Sequence, residues 1–133
     1  MSKLKYFLAG LLIMAVTSCM QKESELFLFV GSYADATDPG IHLYRFDVEK
    51  GMAVPVKSLS GMQDPSYLAV SQDGKFVYSV SETAVPGAKV CAYSFDKHTG
   101  TLSLLNEQKT DGSAPCYIWV DSKHRMAVTA HYN

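Results

Sequence analysis

Beyond residue 25 the chain reads as short runs of alternating apolar and polar residues, each cut off by Gly, Pro, Asp or Asn. A period of two places every second side chain on one face, so this rhythm predicts strands packed on a core rather than helices. Leu26 to Ser32 and Ile41 to Val48 come first, separated by a loop holding Asp38-Pro-Gly40. Glu49-Lys-Gly51 is a tight turn, because glycine tolerates the positive φ such a turn needs, and Ala53 to Leu59 follows it. Tyr67 to Ser71 is predicted as a buried strand, and Gln72-Asp-Gly74 carries the Asp-Gly hairpin signal. Phe76 to Ser81 alternates large and small residues, Val85-Pro-Gly87 interrupts it, and Lys89 to Phe95 resumes. Thr101 to Gln108 comes after the His98-Thr-Gly100 turn. Tyr117 to Asp121 and Arg125 to Tyr132 complete a predicted set of nine strands in groups of three, four and two. No amphipathic helix stands out after residue 20, and no low-complexity linker divides the chain.

The groups repeat one another. Tyr44-Arg-Phe-Asp-Val-Glu-Lys-Gly51 returns 49 residues later as Tyr93-Ser-Phe-Asp-Lys-His-Thr-Gly100. Pro65-Ser-Tyr-Leu-Ala-Val-Ser-Gln-Asp-Gly74 returns after 50 as Pro115-Cys-Tyr-Ile-Trp-Val-Asp-Ser-Lys-His124. Leu28-Phe-Val-Gly-Ser-Tyr33 is echoed by Val77-Tyr-Ser-Val-Ser-Glu82 and Ala127-Val-Thr-Ala-His-Tyr132. A repeat of this length made of strands is the mark of a β-propeller blade, so the fold class is all-β with four-stranded antiparallel blades. Residues 67–108 read as a full blade, 26–59 as a blade lacking its innermost strand, and 117–133 as the start of a third. Closed propellers use about four to eight blades, so the chain is expected to be the opening part of a larger ring.

The N-terminus is set apart from that fold. Lys3 and Lys5 precede the apolar run Tyr6 to Val16, followed by Thr17, Ser18 and Cys19. A basic start, an apolar stretch of this length and small residues before the cut read as a secretory signal. The run is shorter than the roughly 20 apolar residues that span a bilayer. Val16-Thr-Ser-Cys19 further resembles the bacterial lipobox, which makes 1–18 a lipoprotein signal peptide, Cys19 the lipidated residue and 19–25 a tether. The expected location is therefore outside the cytoplasm, with a membrane partner reached through Cys19. Charge is nearly balanced, with 12 basic and 13 acidic residues. No basic stripe is present to follow a phosphate backbone, so nucleic acid is not an expected partner. Cys91 and Cys116 lack metal-type spacing and are expected as buried free thiols, with a disulfide left open for an exported protein.

The chain holds no G-x-S-x-G, H-E-x-x-H, G-x-x-x-x-G-K or dinucleotide-binding glycine pattern. His42, His98, His124 and His131 are scattered among different strands and turns, which gives no metal site. Meander topology puts the loops 33–40, 60–66, 82–88 and 110–116 and the tip 131–133 on one side. That face gathers Asp35, Asp38, Asp64, Glu82, Asp111 and His131, with Tyr33 and Tyr132. Glu82 and His131 stand out for acid–base work because each ends a second strand, near the mouth of a central funnel. Trp119 lies inside an apolar strand and is expected in the core between blades. The pairs Tyr44/Tyr93 and Phe46/Phe95 are read as blade packing.

Taken together, these segments resemble the lactonase family of seven-bladed propellers, whose best-known activity is 6-phosphogluconolactonase. The resemblance rests on Phe29-Val-Gly-Ser-Tyr33 with Gly40-Ile-His-Leu-Tyr44, on Pro65 through Glu82, on Val90 through Gly100, and on Pro115-Cys-Tyr-Ile-Trp-Val-Asp121. Ala130-His-Tyr-Asn133 is similar to the start of the family's Asn-Tyr-Gly-Gly-Gly-type turn. The resemblance implies hydrolysis of a sugar-acid lactone in the central funnel, without metal or other cofactor; related members cyclise muconate-type diacids. It makes Glu82 and His131 the candidate catalytic residues and Tyr33, Tyr132 and Asn133 the candidate substrate ligands. A non-catalytic lipoprotein binding a glycan, small acid or protein through the same funnel is the alternative. The 133 residues alone are expected to lack turnover.

Overall fold

The computed structural model describes residues 25–132, and of residue 25 the backbone only. The expected signal segment, the lipidation site Cys19 and the ligand candidate Asn133 lie outside the described residues.

Among the described residues, nine strands form three antiparallel sheets and there is no helix. The first sheet is β1 (Glu25–Gly31), β2 (Ile41–Asp47) and β3 (Met52–Leu59). The second is β4 (Leu68–Val70), β5 (Phe76–Ser81), β6 (Lys89–Asp96) and β7 (Thr101–Lys109). The third is β8 (Pro115–Val120) with β9 (Ala127–His131). Within each sheet, spatial order equals chain order, so each is a meander and no connection crosses over.

The turns between outer strands are built the same way twice. Asp47 Oδ1 accepts the main-chain N–H groups of Glu49 and Lys50, each at 3.0 Å. Asp96 Oδ1 accepts from His98 N–H at 2.9 Å, and its Oδ2 from the Thr99 hydroxyl at 2.8 Å. Gly51 and Gly100 then reverse the chain at φ 64° and 65°, the left-handed region that favours glycine.

The sheets pack face to face through the alternating side chains of β5. Val77 and Ser79 turn toward the first sheet, where Val77 joins Leu43 and Phe95, and the Ser79 hydroxyl points at the Met62 sulfur. Phe76 and Tyr78 turn the other way, onto the His124 ring. Phe95 is the pivot of the first junction: Phe27 and Phe29 both meet it edge-on, with ring centroids 5.0 and 4.9 Å away. A second cluster of Ile41, Met62, Cys91 and Tyr93 extends this core.

Three expectations need correction. The strand predicted as buried over Tyr67 to Ser71 is only Leu68–Val70, and Tyr67 and Val70 are exposed. Trp119 is not core but 47 % exposed, because Ile118 takes the covered face of β8 and is 2 % exposed. Alternation then turns Trp119 to the opposite side. Cys91 and Cys116 are both free thiols, but only Cys91 is buried and Cys116 is partly exposed.

Candidate active site

The equivalent strands of the three sheets, β1, β5 and β9, all run out toward one rim. The residue next but one after β1 is Tyr33, and those next after β5 and β9 are Glu82 and Tyr132. Their separations of 49 and 50 residues mark them as the same position in successive blades. Tyr33 and Tyr132 are 70 and 73 % exposed, while Glu82 is half-buried between them.

A buried proline locks this rim in place. Pro65 lies so close to β1 and β2 that a Cβ on Gly31 would sit 2.1 Å from its carbonyl oxygen, and one on Gly40 would sit 2.5 Å from its Cγ. Only glycine admits that approach. The proline fixes its neighbours Asp64 and Ser66. Asp64 stands at φ 49°, its N–H donates to Ala34 O at 2.8 Å, and its Oδ1 accepts from Ala34 N–H at 3.1 Å. Its carbonyl accepts the N–H of Ser66 at 2.8 Å and of Glu82 at 3.0 Å.

Glu82 is thereby presented with its carboxyl against the Ser66 hydroxyl. Ser66 Oγ–H donates to Glu82 Oε2. The Tyr33 phenol is held above its ordinary range, first by hydrogen bonding to Glu82, then by partial desolvation and the charges of Glu82, Tyr132 and Asp64. A carboxylate beside a hydroxyl can take a proton from water on one side and polarise a carbonyl from the other.

His131 stands one residue before Tyr132 and is engaged differently. Its Nδ1 donates to the Ser113 carbonyl at 3.3 Å, and its Nε2 pairs with the Thr129 hydroxyl at 2.8 Å. A carbonyl only accepts, so Nδ1 carries the proton in this arrangement. The same bond exists one blade earlier, where Ser81 Oγ donates to Gln63 O at 2.7 Å. His131 thus occupies the Ser81 position and ties a loop to a strand. Asp35, Asp38 and Asp111 are exposed on the loops. The structure brings Tyr33, Glu82, Tyr132 and Asp64 together, and it adds Ser66, which the sequence did not single out. The signal for Ser66 was its place after Pro65, where the next blade has Cys116 after Pro115. Among the described residues no group of three or more His, Cys, Asp and Glu is arranged to hold a metal ion.

Residues 27–133 match the family profile described as Lactonase, 7-bladed beta-propeller. The chain belongs to this lactonase family. Among other lactonases it is 32 % identical over 105 residues to the 6-phosphogluconolactonase of Bacillus subtilis (strain 168), which covers 79 % of this chain and 30 % of that protein. A Bacteroides fragilis NCTC 9343 protein carrying the name 6-phosphogluconolactonase is similar in structure, with TM-score 0.75 and 46 % identity over 83 % of this chain and 30 % of its own. The periplasmic gluconolactonase PpgL of Pseudomonas aeruginosa superposes with TM-score 0.70 at 26 % identity, over 81 % of this chain and 31 % of its own. The chain therefore spans about 30 % of the length of these lactonases.

Proposed function

We propose that this chain supplies the Glu82 side of the funnel of a lactonase that opens a sugar-acid lactone by hydrolysis. The observation that carries the reading is the Glu82 carboxylate, held by the Ser66 hydroxyl on a lactonase rim whose equivalent positions are Tyr33 and Tyr132. In this mechanism Glu82 takes a proton from water as its oxygen attacks the lactone carbonyl. An exposed phenol, Tyr33 or Tyr132, donates a hydrogen bond to the developing oxyanion. The ring C–O bond then breaks, the proton passes from Glu82 to the departing alkoxide, and a hydroxy acid leaves. Asn133 follows Tyr132 directly and serves as a further ligand, whereas His131, with both ring nitrogens engaged, supports the rim beneath Tyr132.

One consideration favours an unphosphorylated aldonolactone over 6-phosphogluconolactone: the export signal expected over residues 1–18 would keep the protein from cytosolic sugar phosphates, and the similar Pseudomonas aeruginosa protein is named a periplasmic gluconolactonase. The deciding experiment measures glucono-δ-lactone hydrolysis above the spontaneous rate, using the protein with any sequence that its gene continues past Asn133. Glu82→Gln is expected to lower turnover about 100-fold or more, the range for loss of a general acid–base group. Unchanged turnover in that variant would remove Glu82 from the mechanism. Saturable lactone binding without turnover in the unmodified protein would establish a binding module instead.

A further inference from the structure

Asp64 and Ala114 stand 50 residues apart at one point of the repeat, each just before a buried proline and each at φ 49°. Their main chains do the same work. Asp64 N–H donates to Ala34 O and Ala114 N–H donates to Thr83 O, both at 2.8 Å. Asp64 O accepts from Glu82 N–H at 3.0 Å, and Ala114 O accepts from Tyr132 N–H at 3.3 Å. The left-handed conformation therefore belongs to the blade junction and needs no carboxylate, since an alanine holds it in the next blade.

The N–H of the residue after the rim position is bonded differently at the two junctions. In the later one, Thr83 N–H folds back onto Ser81 O at 2.8 Å. In the earlier one, the equivalent Ala34 N–H reaches out to Asp64 Oδ1 at 3.1 Å. The Asp64 side chain thus straps the peptide that carries Tyr33. We propose that Asp64 is a positioning residue whose carboxylate oxygen, by holding Ala34 N–H, keeps Tyr33 on the rim beside Glu82, whose own N–H rests on the Asp64 carbonyl. This rests on the lactonase reading of Glu82 for its catalytic meaning, but the strap itself is a property of the chain. Without the strap, Ala34 N–H is free to turn onto Ser32 O as in the next blade, carrying Tyr33 away from Glu82.

The test compares Asp64→Ala with Asp64→Asn. Asparagine keeps an oxygen acceptor and tolerates a left-handed backbone, while alanine is already accommodated at the equivalent residue 114. Hydrogen exchange of the Ala34 amide is expected to quicken about tenfold in Asp64→Ala, the scale of one lost hydrogen bond, and to stay near wild type in Asp64→Asn. The Tyr33 phenol, isolated by subtracting the titration of Tyr33→Phe in each background, should ionise at lower pH in Asp64→Ala than in Asp64→Asn. In the turnover assay kcat should fall about tenfold in Asp64→Ala, as misplacing a reacting group does, with KM little changed and Asp64→Asn restoring it. If both variants exchange like wild type, or if Asp64→Asn is as damaged as Asp64→Ala, the strap is refuted. Should Glu82→Gln retain full turnover, the lactonase assignment of Glu82 fails, and exchange and titration still decide the strap.

Discussion

Replacing Gly31 by alanine tests how tightly the rim is locked. A Cβ there would lie 2.1 Å from the Pro65 carbonyl oxygen, whereas real Cβ atoms essentially never come within 3.0 Å of another atom. The two must therefore part by at least 0.9 Å, the difference of those distances. The oxygen is main chain on a fully buried proline, so Asp64 and Ser66 move with it. Overpacking of this kind costs about 1–3 kcal/mol. The paired Asp64–Ala34 hydrogen bonds, at 2.8 and 3.1 Å, are lost as well, each worth about 0.5–1.5 kcal/mol. The expected loss is about 2–6 kcal/mol, a large share of the ~5–15 kcal/mol that holds a domain together. Urea denaturation followed by the fluorescence of Trp119, the single tryptophan, should show a midpoint lowered by about 1 M or more. Gly51→Ala is the reference, because Gly51 has a positive φ of 64° but nothing within 4 Å of its Cβ. It carries backbone strain alone, roughly 1–2 kcal/mol. A Gly31→Ala variant no less stable than Gly51→Ala would refute the packing argument.

Two further outcomes follow from other parts of the molecule. Burial pushes the Cys91 thiol up to about 11 and raises the Tyr93 hydroxyl as well, with Cys91 itself the next contributor at Tyr93. Both groups hold their protons more tightly folded than unfolded, so stability is complete below about pH 8.5 and declines as pH climbs from about 9. Each group contributes up to about 1.4 kcal/mol per pH unit; an equal urea midpoint at pH 7 and pH 10 would contradict this. Cys19→Ala is expected to abolish incorporation of labelled fatty acid and move the protein from the membrane to the soluble fraction, and unchanged membrane association would dispose of the lipid tether.

The strands were legible because alternation and turn residues agree locally: Phe76 to Ser81 coincides with β5, and Gly74 reverses the hairpin at φ 67°. The column of Tyr33, Glu82 and Tyr132 was legible too, since a repeat maps equal positions onto equal places. Trp119 misled because an apolar strand does not say which of its two faces is covered. His131 gained its prominence from residue type, but its place in the repeat is that of Ser81, and the hydrogen bond it makes is the one Ser81 makes. Nothing in the sequence announces that Asp64 adopts a left-handed conformation before Pro65, because that conformation is set by the junction between blades, where Ala114 repeats it before Pro115. Without it, the alignment of Asp64 with Ala34 and of Ser66 with Glu82 could not be foreseen.

Each sheet is hydrogen-bonded only among strands adjacent in sequence, and this sets an order of events during synthesis. A ribosome adds about 5–20 residues per second, whereas a hairpin closes in roughly 1–10 μs. The meander from β4 to β7 can therefore be paired before β8 has emerged from the ribosome. What must wait is docking, the seating of Phe95 between Phe27 and Phe29 and of His124 on Phe76. The rim assembles with it, one side chain per blade, and Glu82 meets Tyr33 only after two finished sheets have come together.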